Sequence, residues 1–170
     1  MFGKIQIIFV VIALCSTTVF SQKTEKVKPP PETASLAETQ QWLATSLPKY
    51  ASYKTRTSSV NTSNVKFDGC TLTFTQSRKS GSFSTATMGA TRTTSTLKDD
   101  MSFNLSHIGP SGVAIVDHIY PELQTLEIRV ADPIKEGADD RLVELVVEHE
   151  ASDAIKSALL QAMRLCVAKN

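Results

Sequence analysis

The chain has 170 residues, with 18 Lys and Arg against 17 Asp and Glu and a formal net charge of +1. That balance excludes the strongly basic footprint of a nucleic-acid-binding protein. Without a 21-residue leader, 149 residues remain, enough for one domain with its own core and too few for two comfortable ones.

The leader opens with Lys4, runs through the apolar stretch Ile5 to Cys15 and reaches Val19-Phe20-Ser21, where compact side chains suit cleavage before Gln22. Residues 1–21 therefore read as a signal peptide. The apolar run falls short of the roughly 18 to 20 residues that span a bilayer. No later segment approaches that length, so no transmembrane helix is expected after cleavage. Leu14 stands before Cys15 where a lipoprotein signal needs a small residue, and a lipid-anchored form is not expected. The processed protein is expected to be exported, periplasmic or secreted.

Residues 22–34 contain Lys23, Lys26, Lys28 and Pro29-Pro30-Pro31, a composition that predicts an extended spacer. The single domain is expected over residues 35–170. Ser35-Leu36-Ala37-Glu38 has capping-box spacing and predicts a helix start. Leu36, Leu43 and Leu47 form a stripe flanked by Trp42, and Pro48 is expected to stop the helix near Ser46. Trp42 is a candidate ligand platform, although a tryptophan beside a leucine stripe more commonly packs on its own domain.

From Thr55 to Thr96, Ser and Thr supply 20 of 42 residues, a β-branched texture that predicts sheet. Val65 and Phe67 alternate, Asp68-Gly69 predicts a bulge or tight bend, and Cys70, Leu72 and Phe74 then share a face. Thr71, Thr73 and Thr75 point the other way, a rank of hydroxyls that is either a sugar-binding candidate or a solvated sheet face. Arg78 to Gly81 reads as a turn, and Phe83 to Thr96 as one irregular strand or a pair around Gly89. Met101, Phe103 and Leu105 alternate, and Gly109-Pro110-Ser111-Gly112 predicts a loop between strands. Val113 to Val116, the set Leu126, Ile128 and Val130, and the set Val143, Leu145 and Val147 predict three more strands, with an acidic loop from Asp132 to Asp140. A final helix is expected from Ser152-Asp153, burying Ala151, Ile155, Ala158, Leu159, Ala162 and Cys166.

Residues 49 to 98 carry eight basic residues and one acid, whereas residues 99 to 153 carry thirteen acids and three basic residues. Pairing of basic strands from the first half with acidic strands from the second is the expected consequence. Cys70 and Cys166 are the two thiols outside the leader; both fall on apolar faces, and an even pair in an exported chain predicts one disulfide over two separate buried thiols.

Catalytic and metal signatures are missing. The three histidines are His107, His118 and His149. Asp117 and His118 alternate on a strand end and so point apart. His149 lies between Glu148 and Glu150 without the third ligand a metal site needs. Gly109-Pro110-Ser111-Gly112 departs from the nucleophile-elbow spacing, and no glycine-rich phosphate loop occurs. No catalytic residue, metal ligand or cofactor is therefore assigned, and His118 is kept as a possible binding residue with Trp42, Thr71, Thr73 and Thr75.

Gln41-Trp42-Leu43, Phe67-Asp68-Gly69-Cys70, about seven strands and a last helix ending Leu165-Cys166 resemble uncharacterised exported bacterial domains with paired cysteines. The strands followed by one helix also resemble the pleckstrin-homology-type barrel, from which the first helix departs. The expected fold is α+β: an antiparallel sheet or partly open barrel, with one N-terminal and one C-terminal helix packed on it. The expected function is a non-enzymatic extracytoplasmic binding or structural domain for a protein, glycan or lipid headgroup. A hydrolase or metal-dependent enzyme using His118 or His149 with nearby carboxylates is the alternative.

Overall fold

The computed structural model describes residues 26–55, 57–86, 89–131 and 141–168. The expected signal peptide, the expected acidic loop from Asp132 to Asp140, and residues 87 and 88 lie outside them. Over these described residues the chain is α+β, with two helices and two antiparallel sheets, one of four strands and one of three. Neither sheet closes on itself, so the barrel expectation gives way to two open sheets that share one core.

Helix α1 (Leu36–Tyr50) begins as its sequence dictates. The Ser35 hydroxyl accepts from the Glu38 amide at 3.3 Å, and the Glu38 carboxylate accepts from the Ser35 amide at 2.7 Å. Leu43 and Leu47 are fully buried, while Leu36 and Trp42 are partly buried against the same core. Pro48 does not end the helix; it sits in the last turn, and the Ala51 amide still bonds to the Leu47 carbonyl at 2.9 Å. Proline forfeits one amide bond there, and burial of Leu47 and Ala51 on either side carries the last turn past it.

The Ser35 bonds hold the Glu38 carboxyl below its ordinary pKa of 4.5, the backbone bond more strongly than the hydroxyl. A depressed carboxylate contributes stability that is complete above the unfolded pKa and lost as pH falls through the folded one. Glu38→Gln is therefore expected to flatten the part of the acid-unfolding curve below about pH 4.5. Parallel pH titrations of the two proteins by circular dichroism measure this; superimposable curves would contradict it.

The first sheet runs in the order β1 (Tyr53–Lys54), β2 (Ser58–Asp68), β3 (Thr71–Ala86) and β4 (Gly89–Asn104). Asp68 pairs with Thr71, so Gly69 and Cys70 form a two-residue hairpin loop with Gly69 at φ +55°. This is the bend expected at Gly69. The bulge lies elsewhere: pairing jumps from Ser63 with Thr75 to Lys66 with Thr73, and Asn64 takes φ +55°. An asparagine tolerates that left-handed conformation, and the extra residue re-phases the strand. The turn expected at Arg78 to Gly81 is absent, because those residues pair in mid-strand with Leu97, Thr96, Ser95 and Thr94. One glycine among turn-forming residues does not interrupt a strand that has a partner along its whole length.

A 3-10 turn (Leu105–His107) leads to the second sheet, β5 (Ile108–Asp117), β6 (Leu123–Val130) and β7 (Arg141–Glu148). Gly109 to Gly112 is not a loop between two strands but an excursion inside β5, between the pairs Ile108 with Val130 and Val113 with Ile128. Gly112 is required there by close approach. A β-carbon would lie 2.6 Å from Ile108 Cγ2, 2.7 Å from the Gly109 oxygen and 2.9 Å from its nitrogen. Because two of those atoms are backbone, Gly112→Ala is expected to destabilise by about 1 to 3 kcal/mol. Chemical denaturation is the measurement, and a loss under about 0.5 kcal/mol, the scale of a neutral surface change, would contradict it.

Helix α2 (His149–Val167) starts three residues before the expected Ser152, with Glu148 at its N-cap and no side-chain cap bond. The Ser152 hydroxyl instead donates to the His149 carbonyl at 2.8 Å. Ala151, Ile155, Ala158, Leu159, Ala162 and Cys166 form the buried stripe that the spacing predicts. The described part of the expected spacer lies along this helix. Val27 packs on the core, and the Gln161 amide donates to the carbonyls of Pro31, Glu32 and Ala34 at 2.9, 3.3 and 3.3 Å.

Cys70 and Cys166 are bonded, with Cα atoms 5.8 Å apart. The hairpin carrying Cys70 is held from two further sides: Gln40 donates to the Gly69 carbonyl at 2.6 Å, and the Leu105 amide to the Cys70 carbonyl at 2.9 Å. The expected pairing of basic with acidic strands does not occur, since of the acidic half only β4 residues such as Asp99 and Asp100 join the first sheet. Hairpin connectivity sets the pairing order instead.

Candidate functional site

The possible binding residues do not converge. Trp42 is partly buried and packs from α1 against the hydrophobic core. Thr71, Thr73 and Thr75 alternate with Leu72 and Phe74 and so face away from that core. The threonine rank is also not a free row of hydroxyls: Thr75 is buried and donates to Asp100 at 2.7 Å. Thr73 lies 3.5 Å from the Lys66 carbonyl.

His118 stands in the β5–β6 connection, and there the structure gathers groups that are distant in sequence. Its imidazole lies edge-on to Tyr53 at 6.2 Å between ring centres and stacks on Tyr120 at 5.5 Å. Its Nδ1 accepts from the Tyr120 amide at 3.2 Å, which fixes the ring's orientation. Burial pushes the Tyr53 phenol above its ordinary pKa and Tyr120 adds to this, whereas Arg78 opposes it. Tyr53 is therefore a neutral hydroxyl at physiological pH.

Beside this aromatic group lies a groove of about 550 Å³ between β1, the β5–β6 connection and the start of α2. Tyr53, Lys54, Glu122, Glu148, His149 and Glu150 line it. Backbone bonds define its walls: the Leu123 amide donates to the Tyr120 carbonyl at 3.0 Å, and the His149 amide to the Glu122 carbonyl at 2.9 Å. The β5–β6 connection is thereby tied to the first turn of α2. Tyr53 borders both His118 and the groove that holds His149, so the two histidines of the enzymatic alternative lie in one region.

Ser52, the serine of the groove, accepts the Thr62 amide at 2.8 Å and lies 3.5 Å from the Asn61 side chain, which turns its hydroxyl toward β2. Among the described residues no three His, Cys, Asp or Glu side chains converge as a metal-binding group. The region combines aromatic side chains, a neutral phenol, and three carboxylates against one lysine.

Tyr53, Lys54, Tyr120 and Glu122 were not singled out from the sequence as site residues. Tyr120 could have been found from its spacing of two from His118 in a turn-prone segment. Tyr53 could not, because its place depends on how the first sheet docks beside the second.

The fold and groove define a disulfide-stapled α+β domain built on two open antiparallel sheets. The chain matches no protein-family model, no curated protein and no solved structure. The disulfide fits an oxidising compartment. No helix among the described residues is long and apolar enough to cross a membrane.

Proposed function

We propose that the protein is a non-enzymatic extracytoplasmic binding domain, and that the groove beside Tyr53 takes a basic segment of a partner protein. The observation that carries this reading is the composition of the groove. Glu122, Glu148 and Glu150 outnumber Lys54, and the aromatic group of Tyr53, His118 and Tyr120 lies alongside. Carboxylates attract a lysine or arginine side chain and repel anionic lipid headgroups. An adjoining aromatic face can hold the cation or its alkyl stem. The leader supports export, and the disulfide fits such a destination.

Titration of the processed protein with Lys/Arg-rich peptides, acidic peptides, neutral glycans and anionic vesicles tests the proposal. Saturable binding of the basic peptides is expected, weakened by salt and reduced about tenfold by Tyr53→Ala, the scale of one aromatic contact. Binding of glycans or vesicles alone would overturn the ligand class. Turnover of a substrate that disappears in His118→Ala or His149→Ala would overturn the non-enzymatic reading.

A further inference from the structure

β4 is the outermost strand of the four-stranded sheet. Thr94, Ser95, Thr96, Leu97 and Lys98 are all exposed, and Leu97 retains 59% of its accessible surface. Successive side chains point to opposite faces, so both faces of the strand meet solvent over this stretch. Two contacts show which way its backbone points. The Leu105 amide donates to Cys70 on the β3 side, whereas the Ser102 carbonyl accepts from Arg141 on the other side at 3.3 Å. In an antiparallel ladder a residue directs its N–H and C=O to the same neighbour, and the next residue directs them oppositely. The odd-numbered residues of β4 therefore bond to β3, while Thr94, Thr96, Lys98 and Asp100 aim their backbone groups outward. Among the described residues no strand pairs with them.

We infer that this edge is a self-association surface, on which two copies of the chain pair their β4 strands antiparallel about a twofold axis through Leu97. In that register Thr96 of one copy faces Lys98 of the other, and Thr94 faces Asp100. All four belong to the outward-bonding set, so each pair exchanges two backbone hydrogen bonds. Leu97 meets its own counterpart in the close, non-bonded position, with Cα atoms about 4.5 Å apart. The exposed Leu97 side chain is thus covered by its copy, and Asp99 faces Ser95.

Neighbouring registers are worse. An axis through Lys98 sets lysine against lysine and places Leu97 opposite Asp99. An axis through Asp99 opposes two carboxylates and needs the Ser102 carbonyl, which Arg141 already occupies. An axis through Thr96 leaves Leu97 facing Ser95. Like charges directly opposite are destabilising and apolar pairs favourable, so charge and burial select the same axis. Lys98, Asp99 and Asp100 guard the inner part of the edge as edge charges do. Thr94 to Leu97 carries no guard. An edge pairing of this length is small beside the roughly 1,000 Å² of a durable interface, so the dimer is weak and concentration-dependent.

Sedimentation equilibrium of the processed chain from micromolar to near-millimolar concentration is expected to show a reversible monomer–dimer equilibrium. Leu97→Asp is expected to weaken it about tenfold or more while leaving the melting temperature unchanged, because the side chain is exposed in the monomer. Under mild oxidation Leu97→Cys is expected to give a cross-linked dimer. A mixture of Ser95→Cys and Asp99→Cys chains is expected to give the mixed dimer in preference to either homodimer. A monomer at all concentrations would overturn the inference, as would cross-linking of Asp99→Cys to itself in place of Leu97→Cys. So would capture of a different protein by Leu97→Cys while the purified chain stays monomeric.

Discussion

Breaking the Cys70–Cys166 bond is expected to lower stability by about 2 to 4 kcal/mol, the usual range for a native disulfide. The bond closes a loop with a sequence separation of 96, for which the chain-entropy model allows a maximum near 4.7 kcal/mol. It ties the β2–β3 hairpin turn to the last turns of α2, the two ends of the described core. Cys166 is fully buried, so Cys70→Ala/Cys166→Ala also loses packing. Gln40 and Leu105 still hold the hairpin turn after reduction, which is why destabilisation rather than complete unfolding is expected. At roughly 2 to 4 °C per kcal/mol for a domain of this size, the melting temperature should fall by about 4 to 16 °C. Calorimetry with and without reductant checks this. The double variant should melt near the reduced wild type and ignore reductant. A wild-type melting temperature unmoved by complete reduction would show that the bridge adds nothing to the fold.

Leu126→Ala is expected to cost about 2 to 5 kcal/mol, the range for emptying a leucine site that cannot collapse. Leu126 is fully buried on β6, the central strand of its sheet, between Ile115 on β5 and Leu145 on β7. Strands on both sides and α2 against the sheet leave little room for relaxation. Leu142→Ala, on β7 of the same sheet but 46% exposed, is the matched control and should cost under about 0.5 kcal/mol. Urea unfolding with an unchanged dependence on denaturant would assign the loss to the native core. Equal losses in the two variants would mean that the second sheet does not carry the core as described.

These expectations fall on residues that the sequence already marked as core, while the groove falls on residues that it did not. Leu126, Ile128 and Val130 were legible because a strand with one face in a core alternates, and any register that keeps them inside gives the same answer. Arg78 to Gly81 misled because turn composition is a local signal. β3 is fixed by its long pairing with β4, which no four-residue window contains. Gly109-Pro110-Ser111-Gly112 misled similarly, since an excursion within one strand has the composition of a loop between two. Pro48 and the start of α2 differed because burial at the helix ends outweighed one lost hydrogen bond and one absent cap.

The groove shows the same division more sharply. Tyr53 is separated from His118 by 65 positions and from His149 by 96, and nothing about their spacing relates them. They meet because β1 pairs beside β2, the β5–β6 connection folds over the start of α2, and the two sheets share one core.

The amino-acid sequence by itself determined the cap of α1, the buried stripes of both helices and the pairing of Cys70 with Cys166. Each depends on short-range periodicity, on local hydrogen bonding or, for the cysteines, on there being two thiols beyond the expected leader. Only the tertiary structure decided that the strands form two open sheets, that Tyr53, His118 and His149 adjoin one groove, and that the outer edge of β4 is unpaired among the described residues. Those depend on which faces and edges remain uncovered once the core has formed, a property of the packed chain and of no segment within it.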